Sequence, residues 1–421
     1  MDEKKEEALK RSMAIAEGLK SPASPSSAAA APPVPPGPAN IARALSPSAR
    51  RPAAKQTVIK DDFPCEVAFK VAFLGSGQGG SKMAAEHFKL GYRRVAVFNT
   101  TDMDFDGLPV EIPKLSLNVG GARKDAAFAK AQLKGREEEV WDLLIRAWGA
   151  DVDYAIVCAS LGGGTGSGTI APLVGAARRY LEAHNLPQRV GALVSIPPVL
   201  EGQQQARNTV NAFGELLALK VSPLLIIDNA KIDQLYHPPM ARLHHTANET
   251  AAVLFHLFNQ LAAVHSKYIT FDKSELGQLL DGGVVVMGVA DVPDVNSPAD
   301  ISSRIRDELA SNVLADVDLS RGKKGACIFV AHQSVLDTLP SEYFEAGFTQ
   351  LDRIVGSAYN NEQVPTVIHR GLYEGRDPGL QCYTMISELD PPVKRLRELA
   401  KKAGLAAGAG STVAKFLGLE D

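Results

Sequence analysis

Apolar residues along this chain gather into short unbroken runs, separated by glycine turns and by stretches where apolar positions recur every three or four residues. The runs at 67–74, 94–99, 154–159, 190–196 and 224–227 are short and rich in Val, Ile, Ala and Phe, the pattern of strands buried on both faces. A helix is predicted over 82–90 and another after residue 169, so strands alternate with helices as in βαβ units. Residues 241–265 predict one long helix, because Ala247, Ala251, Leu254, Phe255, Phe258, Leu261 and Ala262 keep three-to-four spacing. Further runs at 284–290, 326–331, 366–372 and 381–387 predict strands, with helices over 299–314 and 342–355. The expected fold class is α/β: a Rossmann-like parallel-sheet domain at 61–240, a long central helix with its connection at 241–270, and a second, smaller α+β domain at 271–390.

The ends read differently. Residues 1–20 could form a short helix with balanced charge, and 21–55 is so rich in Pro, Ala and Ser that it cannot bury enough apolar surface to order itself. Residues 1–60 are therefore expected to be a disordered tail and linker. At the other end, 391–421 reads as a tail that begins with a basic amphipathic helix over 393–402.

Composition adds bounds. With 421 residues, 45% of them hydrophobic, the chain can form about two domains. A net charge of -3 and a pI near 6.3 give no field for nucleic acid, so none is expected as partner. No apolar run approaches the ~18 residues of a membrane span, and the charged start lacks a signal-peptide core, so the expected place is the cytoplasm. Cys65, Cys158, Cys327 and Cys382 are far apart and suggest neither a metal site nor a disulfide framework; the last three lie in apolar runs, where a small buried thiol is expected.

The densest chemistry lies at 161–169, LGGGTGSGT, between an apolar run and a helical pattern. Gly162, Gly163, Gly164, Gly166 and Gly168 let backbone N–H groups approach an anion, and Thr165, Ser167 and Thr169 add hydroxyls at a positive helix N-terminus. This is a phosphate cradle without the Gly-Lys-Ser/Thr ending of a Walker loop. Earlier, Gly75-Ser76-Gly77-Gln78-Gly79-Gly80 fits GxGxxG, which leaves a dinucleotide site open, with Asp102 as a ribose ligand.

GGGTGSG resembles the signature loop of the tubulin and FtsZ superfamily, and VFNTTD at 97–102 resembles the strand end that follows the first phosphate loop in bacterial FtsZ. The chain looks closer to FtsZ than to eukaryotic tubulin, with an atypical linker at its N-terminus, and the resemblance spans about 67–387. It implies a first phosphate loop at Gly75, Gly77, Gln78 and Gly79, with Asp102 at the next strand end. Lys82 stands where the family has an asparagine. The resemblance also implies a terminal-phosphate loop, abbreviated here to 119–123, and a ribose carboxylate at Glu201, with Gln205 in place of the family's arginine. Asn229 falls beside the base, while His244 and Asn248 take the places of a stacking aromatic and a guanine-reading asparagine.

The second implied site is Thr270-Phe271-Asp272-Lys273-Ser274-Glu275. It is similar to the acidic FtsZ loop that enters the next subunit's pocket, where Asp272 and Glu275 would act as catalytic carboxylates. The same spacing makes Asp272 an N-cap and Glu275 its partner in a capping box, and the two roles are compatible.

The resemblance therefore implies a GTPase using GTP/GDP and Mg²⁺, polymerising head to tail with copies of itself. An adaptor or membrane-tethering protein could bind either tail. The alternatives are a nucleotide-binding scaffold or regulator of filaments with little hydrolysis, and an NAD-dependent oxidoreductase built on GSGQGG. The cellular process, division among the candidates, is left open.

Overall fold

A computed structural model describes residues 59–405, apart from 64, 199, 237–238, 240–241, 293–294, 313, 360–363 and 377–378. The expectations for residues 1–20, for the linker at 21–55 and for the chain after 405 lie outside the described residues. The chain runs β1 (Val71–Ser76), α1 (Gly77–Lys89), β2 (Val95–Asn99), β3 (Lys114–Ser116), α2 (Ala126–Leu133), α3 (Glu137–Trp148), β4 (Tyr154–Ser160) and α4 (Gly164–Ala183). It continues through β5 (Val190–Ile196), α5 (Gln203–Leu219), β6 (Leu224–Asp228), α6 (Asn229–Tyr236), α7 (Leu243–Leu261), α8 (Lys273–Leu280) and β7 (Val284–Asp291). The last elements are α9 (Pro298–Asn312), β8 (Lys324–His332), α10 (Ser341–Ile354), β9 (Val367–Gly375), β10 (Leu380–Leu389) and α11 (Val393–Lys402).

All ten strands form one sheet, ordered β3-β2-β1-β4-β5-β6-β7-β10-β8-β9. From β3 to β7 every pairing is parallel; β10 then lies antiparallel between β7 and β8, and β9 is parallel to β8. The α/β class and the parallel nucleotide-type sheet predicted from the runs are thus present.

Successive strand residues face opposite sides, and each side has its own core. On one, Ala155, Val157 and Ala159 of β4 pack with Leu144, Leu173 and Phe213 of α3, α4 and α5. On the other, Tyr154, Ile156 and Cys158 pack with Met83, Leu254 and Leu276 of α1, α7 and α8. Helix α7 is buried along most of its length, as its all-round apolar sequence requires, although it is shorter at both ends than the predicted 241–265.

Two glycine-rich segments differ from expectation. Gly77 begins α1 and Gly164 begins α4, so most of both motifs is helical rather than looped. The reason is close packing. A Cβ on Gly80 would stand 2.1 Å from Cys158 O, and one on Gly168 would stand 2.1 Å from Ala126 O. Only glycine lets these first turns lie directly against neighbouring backbone.

Helix α11 packs against α5, with Leu396 and Leu399 in the core. Its Arg395 is 7% exposed, donates from Nη2 to Pro197 O (2.7 Å) and pairs with Asp228 (3.1 Å). Burial pushes the Asp228 carboxyl up, and the Arg395 charge opposes that shift. No described helix is long and apolar enough to cross a membrane.

Candidate functional site

Loops at the carboxyl ends of β1, β2, β4 and β5 enclose a cavity of about 490 Å³. This is the crevice where open parallel sheets ordinarily bind ligands. Its lining includes Gly77, Gln78, Gly79, Gly162, Gly163, Gly164, Thr165, Gly166, Glu201, His244 and Asn248, so the structure gathers both glycine motifs, the loop acid and the start of α7 into one site.

Helix ends supply its donors. Neither α1 nor α4 has a side-chain cap or an acid in its first turn, so their leading N–H groups are left for a ligand. By contrast, α2 is capped by Asp125 and α8 by Asp272.

Cations supply the charge missing from the glycine loop. Lys82, Arg123 and Lys124 line the cavity, and none makes an ion pair among the described residues. Arg123 and Lys124 hold left-handed backbone (φ 49° and 65°) in a segment where Asn118, Gly120 and Gly121 are also left-handed. Two adjacent non-glycine residues in that region are costly, a strain that clusters at ligand-binding loops. Asn208 fastens this loop to the glycine motif by donating to Lys124 O (2.9 Å), Gly162 O and Gly163 O (both 3.3 Å).

The hydroxyls do different work from that expected. Thr165 bonds Thr100 (2.8 Å), Thr169 bonds Ser76 (2.6 Å), and Ser167 donates back to Gly163 O within the helix start, away from the lining. They hold the cradle in shape, and Thr165 also lines the cavity.

Three further predicted residues lie outside the lining. Gly75 is inside β1, where a Cβ would meet Gly80 O at 2.6 Å; it lets α1 start close to the strand. Asp102 is exposed, because the short helical turn Met103–Phe105 carries Asp104 into the lining instead. Asn229 is buried at the first residue of α6, since the chain passes from β6 into that helix with no loop to carry it across. Arg207 donates to Ala403 O (3.1 Å) and stands away from the cavity, leaving Gln205 in the lining.

His244 and Asn248, one helical turn apart on α7, both face the cavity. The Asn248 side chain is 6% exposed and makes no hydrogen bond among the described residues. Sequence reasoning passed over Lys124, Ser160, Thr101 and Asn208; the basic pair after Gly120-Gly121 was the one local signal available.

Asp272 and Glu275 are elsewhere. They start α8 in the full capping box, with Glu275 N–H on Asp272 Oδ1 and Asp272 N–H on Glu275 Oε2, both 2.9 Å. The adjacent Lys273 pairs with Asp153 (3.6 Å), the residue before β4, whereas Ser160 at the far end of β4 lines the cavity. At about 3.3 Å per residue, β4 alone separates the two sites by roughly 20 Å.

The sequence profile of the family described as Tubulin like matches residues 122–252. No curated protein matches the chain in sequence. Among solved structures, CetZ2 from Haloferax volcanii, a GTPγS-bound protofilament, is 20% identical with a TM-score of 0.65, covering 79% of this chain and 98% of that one. TubZ of Bacillus thuringiensis serovar israelensis, a GTPγS-form protofilament, is 16% identical with a TM-score of 0.67, covering 80% and 91%. CetZ from Methanosaeta thermophila is 17% identical with a TM-score of 0.61, covering 80% and 91%.

Proposed function

Given that the chain has the fold of the tubulin/FtsZ superfamily, we propose that it binds GTP, hydrolyses it to GDP and phosphate, and polymerises head to tail, each active site being completed by the neighbouring subunit. The observation that carries this reading is the division of the site. The cavity that gathers both glycine motifs lies at one end of the parallel sheet and an acid pair at the other, roughly 20 Å apart along β4. The acids cannot act on their own chain's cavity, but a copy stacked along the strands brings them to it. Such a contact joins unlike surfaces and, without closure, extends as a filament. Relatives of this fold captured as GTPγS protofilaments support the same arrangement.

In this reading the phosphates rest on the N-termini of α1 and α4, and Lys82, Arg123 and Lys124 neutralise them. Glu201 accepts from the ribose, His244 stacks on the base and the free amide of Asn248 meets the guanine edge with both a donor and an acceptor. Asp272 and Glu275 of the neighbouring subunit orient the attacking water, so catalysis is positioning and charge stabilisation. No cluster of three or more His, Cys, Asp or Glu among the described residues is arranged to hold a metal. Of the lining carboxylates, Asp104 would be the one to help hold Mg²⁺, which would supply charge neutralisation at the phosphates.

Phosphate release from GTP with Mg²⁺, measured over a protein concentration series, tests the proposal. Turnover per subunit should rise above a critical concentration, require GTP rather than ATP, and collapse in Asp272→Ala. Gln205 in the lining, where the resemblance has arginine, favours the second reading of a filament scaffold with little hydrolysis. GTP binding with flat, near-zero turnover would establish that reading instead.

A further inference from the structure

The loop that carries Glu201 is held by α11 at both of its ends. Pro197, the first residue after β5, accepts at its carbonyl from Arg395 Nη2 (2.7 Å), and Gln203, the first residue of α5, donates from Nε2 to Ala403 O (3.3 Å). Arg207 donates to the same carbonyl (3.1 Å). At 1.5 Å per residue, Arg395 and Ala403 stand about 12 Å apart along the helix axis. Between these two holds the chain makes a turn, with Glu201 N–H on Pro198 O (3.3 Å). A Cβ on Gly162 would lie 3.2 Å from Glu201 Oε2 and 3.3 Å from Pro197 Cβ, so the carboxylate rests over the bare face of the glycine motif with Pro197 beside it.

A buried arginine is a poor means of holding a helix to its neighbour. Leu396, Leu399 and Ala400 are buried and already pack α11 into the core, and apolar side chains of similar volume generally do as well as a buried ion pair or better. What arginine supplies is a rigid fork of donors. Here the fork spans the ends of two neighbouring parallel strands, with Nη2 on Pro197 O after β5 and Nε 3.1 Å from Asp228 Oδ2 at the end of β6. Resting on the proposed contact of Glu201 with the ribose, we infer that α11 positions that carboxylate. Arg395 is the positioning residue at the start of the loop, and Ala403 O is the acceptor that fixes its exit. Because α11 follows β10, which lies between β7 and β8, the far half of the sheet is thereby tied to the ribose contact.

DideoxyGTP, which lacks both ribose hydroxyls, separates positioning from mere stability. Dissociation constants for GTP and dideoxyGTP would be measured by calorimetry for wild type, for Arg395→Gln combined with Asp228→Asn, for Gln203→Ala combined with Arg207→Ala, and for Glu201→Gln. The first combination removes both charges together and leaves none buried without its partner, and the second alters only exposed side chains. Charge-assisted hydrogen bonds to the hydroxyls should make wild type prefer GTP by about tenfold or more. A loop no longer held must be ordered on binding, so the Arg395→Gln, Asp228→Asn variant should lose about tenfold in GTP affinity while dideoxyGTP stays within about twofold, as in Glu201→Gln. The Gln203→Ala, Arg207→Ala variant should show the same selective loss at about threefold. If the buried variant does not fold, the exposed one decides alone. In the variant that decides, equal weakening of both nucleotides or an undiminished preference for GTP overturns the assignment. Equal binding of the two nucleotides by wild type instead overturns the ribose contact of Glu201 on which it rests.

Discussion

Lys124 illustrates how one side chain can stand in for an absent motif. The glycine loop has no lysine of its own, yet Lys124 and Arg123 reach the cavity from a loop that Asn208 ties to Gly162 and Gly163. Charge-assisted hydrogen bonds contribute about 1.5–3 kcal/mol each, so replacing both cations by alanine should weaken GTP binding by about a hundredfold or more. Titration at two salt concentrations checks this, because the variant should also lose much of the salt dependence that exposed charges impart. Unchanged affinity and unchanged salt response would remove both residues from the site. From sequence these cations were hard to see, since their role depends on left-handed backbone and on a contact with Asn208, far along the chain. Glu201, His244 and Asn248, which line the cavity, could be singled out only through the family resemblance. Asp102 stands outside the lining, because the short turn that follows β2 carries Asp104 there instead.

Among the elements, the strands were the most readable, because a parallel strand covered on both faces must be apolar throughout, as the wholly buried β5 is. The capping box of α8 was equally plain, being a local pattern. Glycine misled at α1 and α4, where its usual reading as a helix breaker gives way to a need for close backbone contact that only the folded neighbour creates. Helix α11 also conceals its role: basic spacing suggests a solvated face, but Arg395 turns inward to Asp228 and to Pro197 O in the loop that leads to Glu201. Removing one member of such a buried pair generally costs about 3–5 kcal/mol, so Arg395→Leu should lower the Tm markedly, and Asp228→Asn in the same chain should recover part of the loss. Thermal unfolding of the single and double variants measures this. A single variant as stable as wild type would mean that the pair contributes nothing to holding α11.

At the scale of the whole molecule, the proposed function gives one subunit two half-sites facing opposite ways along the same strands. Complementation follows. A subunit with Asp272→Asn keeps its pocket, and a subunit with Arg123→Ala and Lys124→Ala keeps its acids. Each alone should be nearly inactive, while an equal mixture should regain about a quarter of wild-type turnover, because one in four random junctions pairs an intact pocket with intact acids. Phosphate release from the mixture is the measurement, and a mixture no better than its components would count against shared sites.

The distance that β4 sets between pocket and acids also fixes a count. A filament built in this way has one fewer complete site than it has subunits. At one end the last pocket faces solvent with no acids above it, and at the other the last acids face solvent with no nucleotide below. The terminal nucleotide therefore stays uncleaved however long the filament grows, and the two ends differ chemically before any partner binds. Under the proposed assembly, polarity and an unhydrolysed tip would both follow from the separation of pocket and acids along β4.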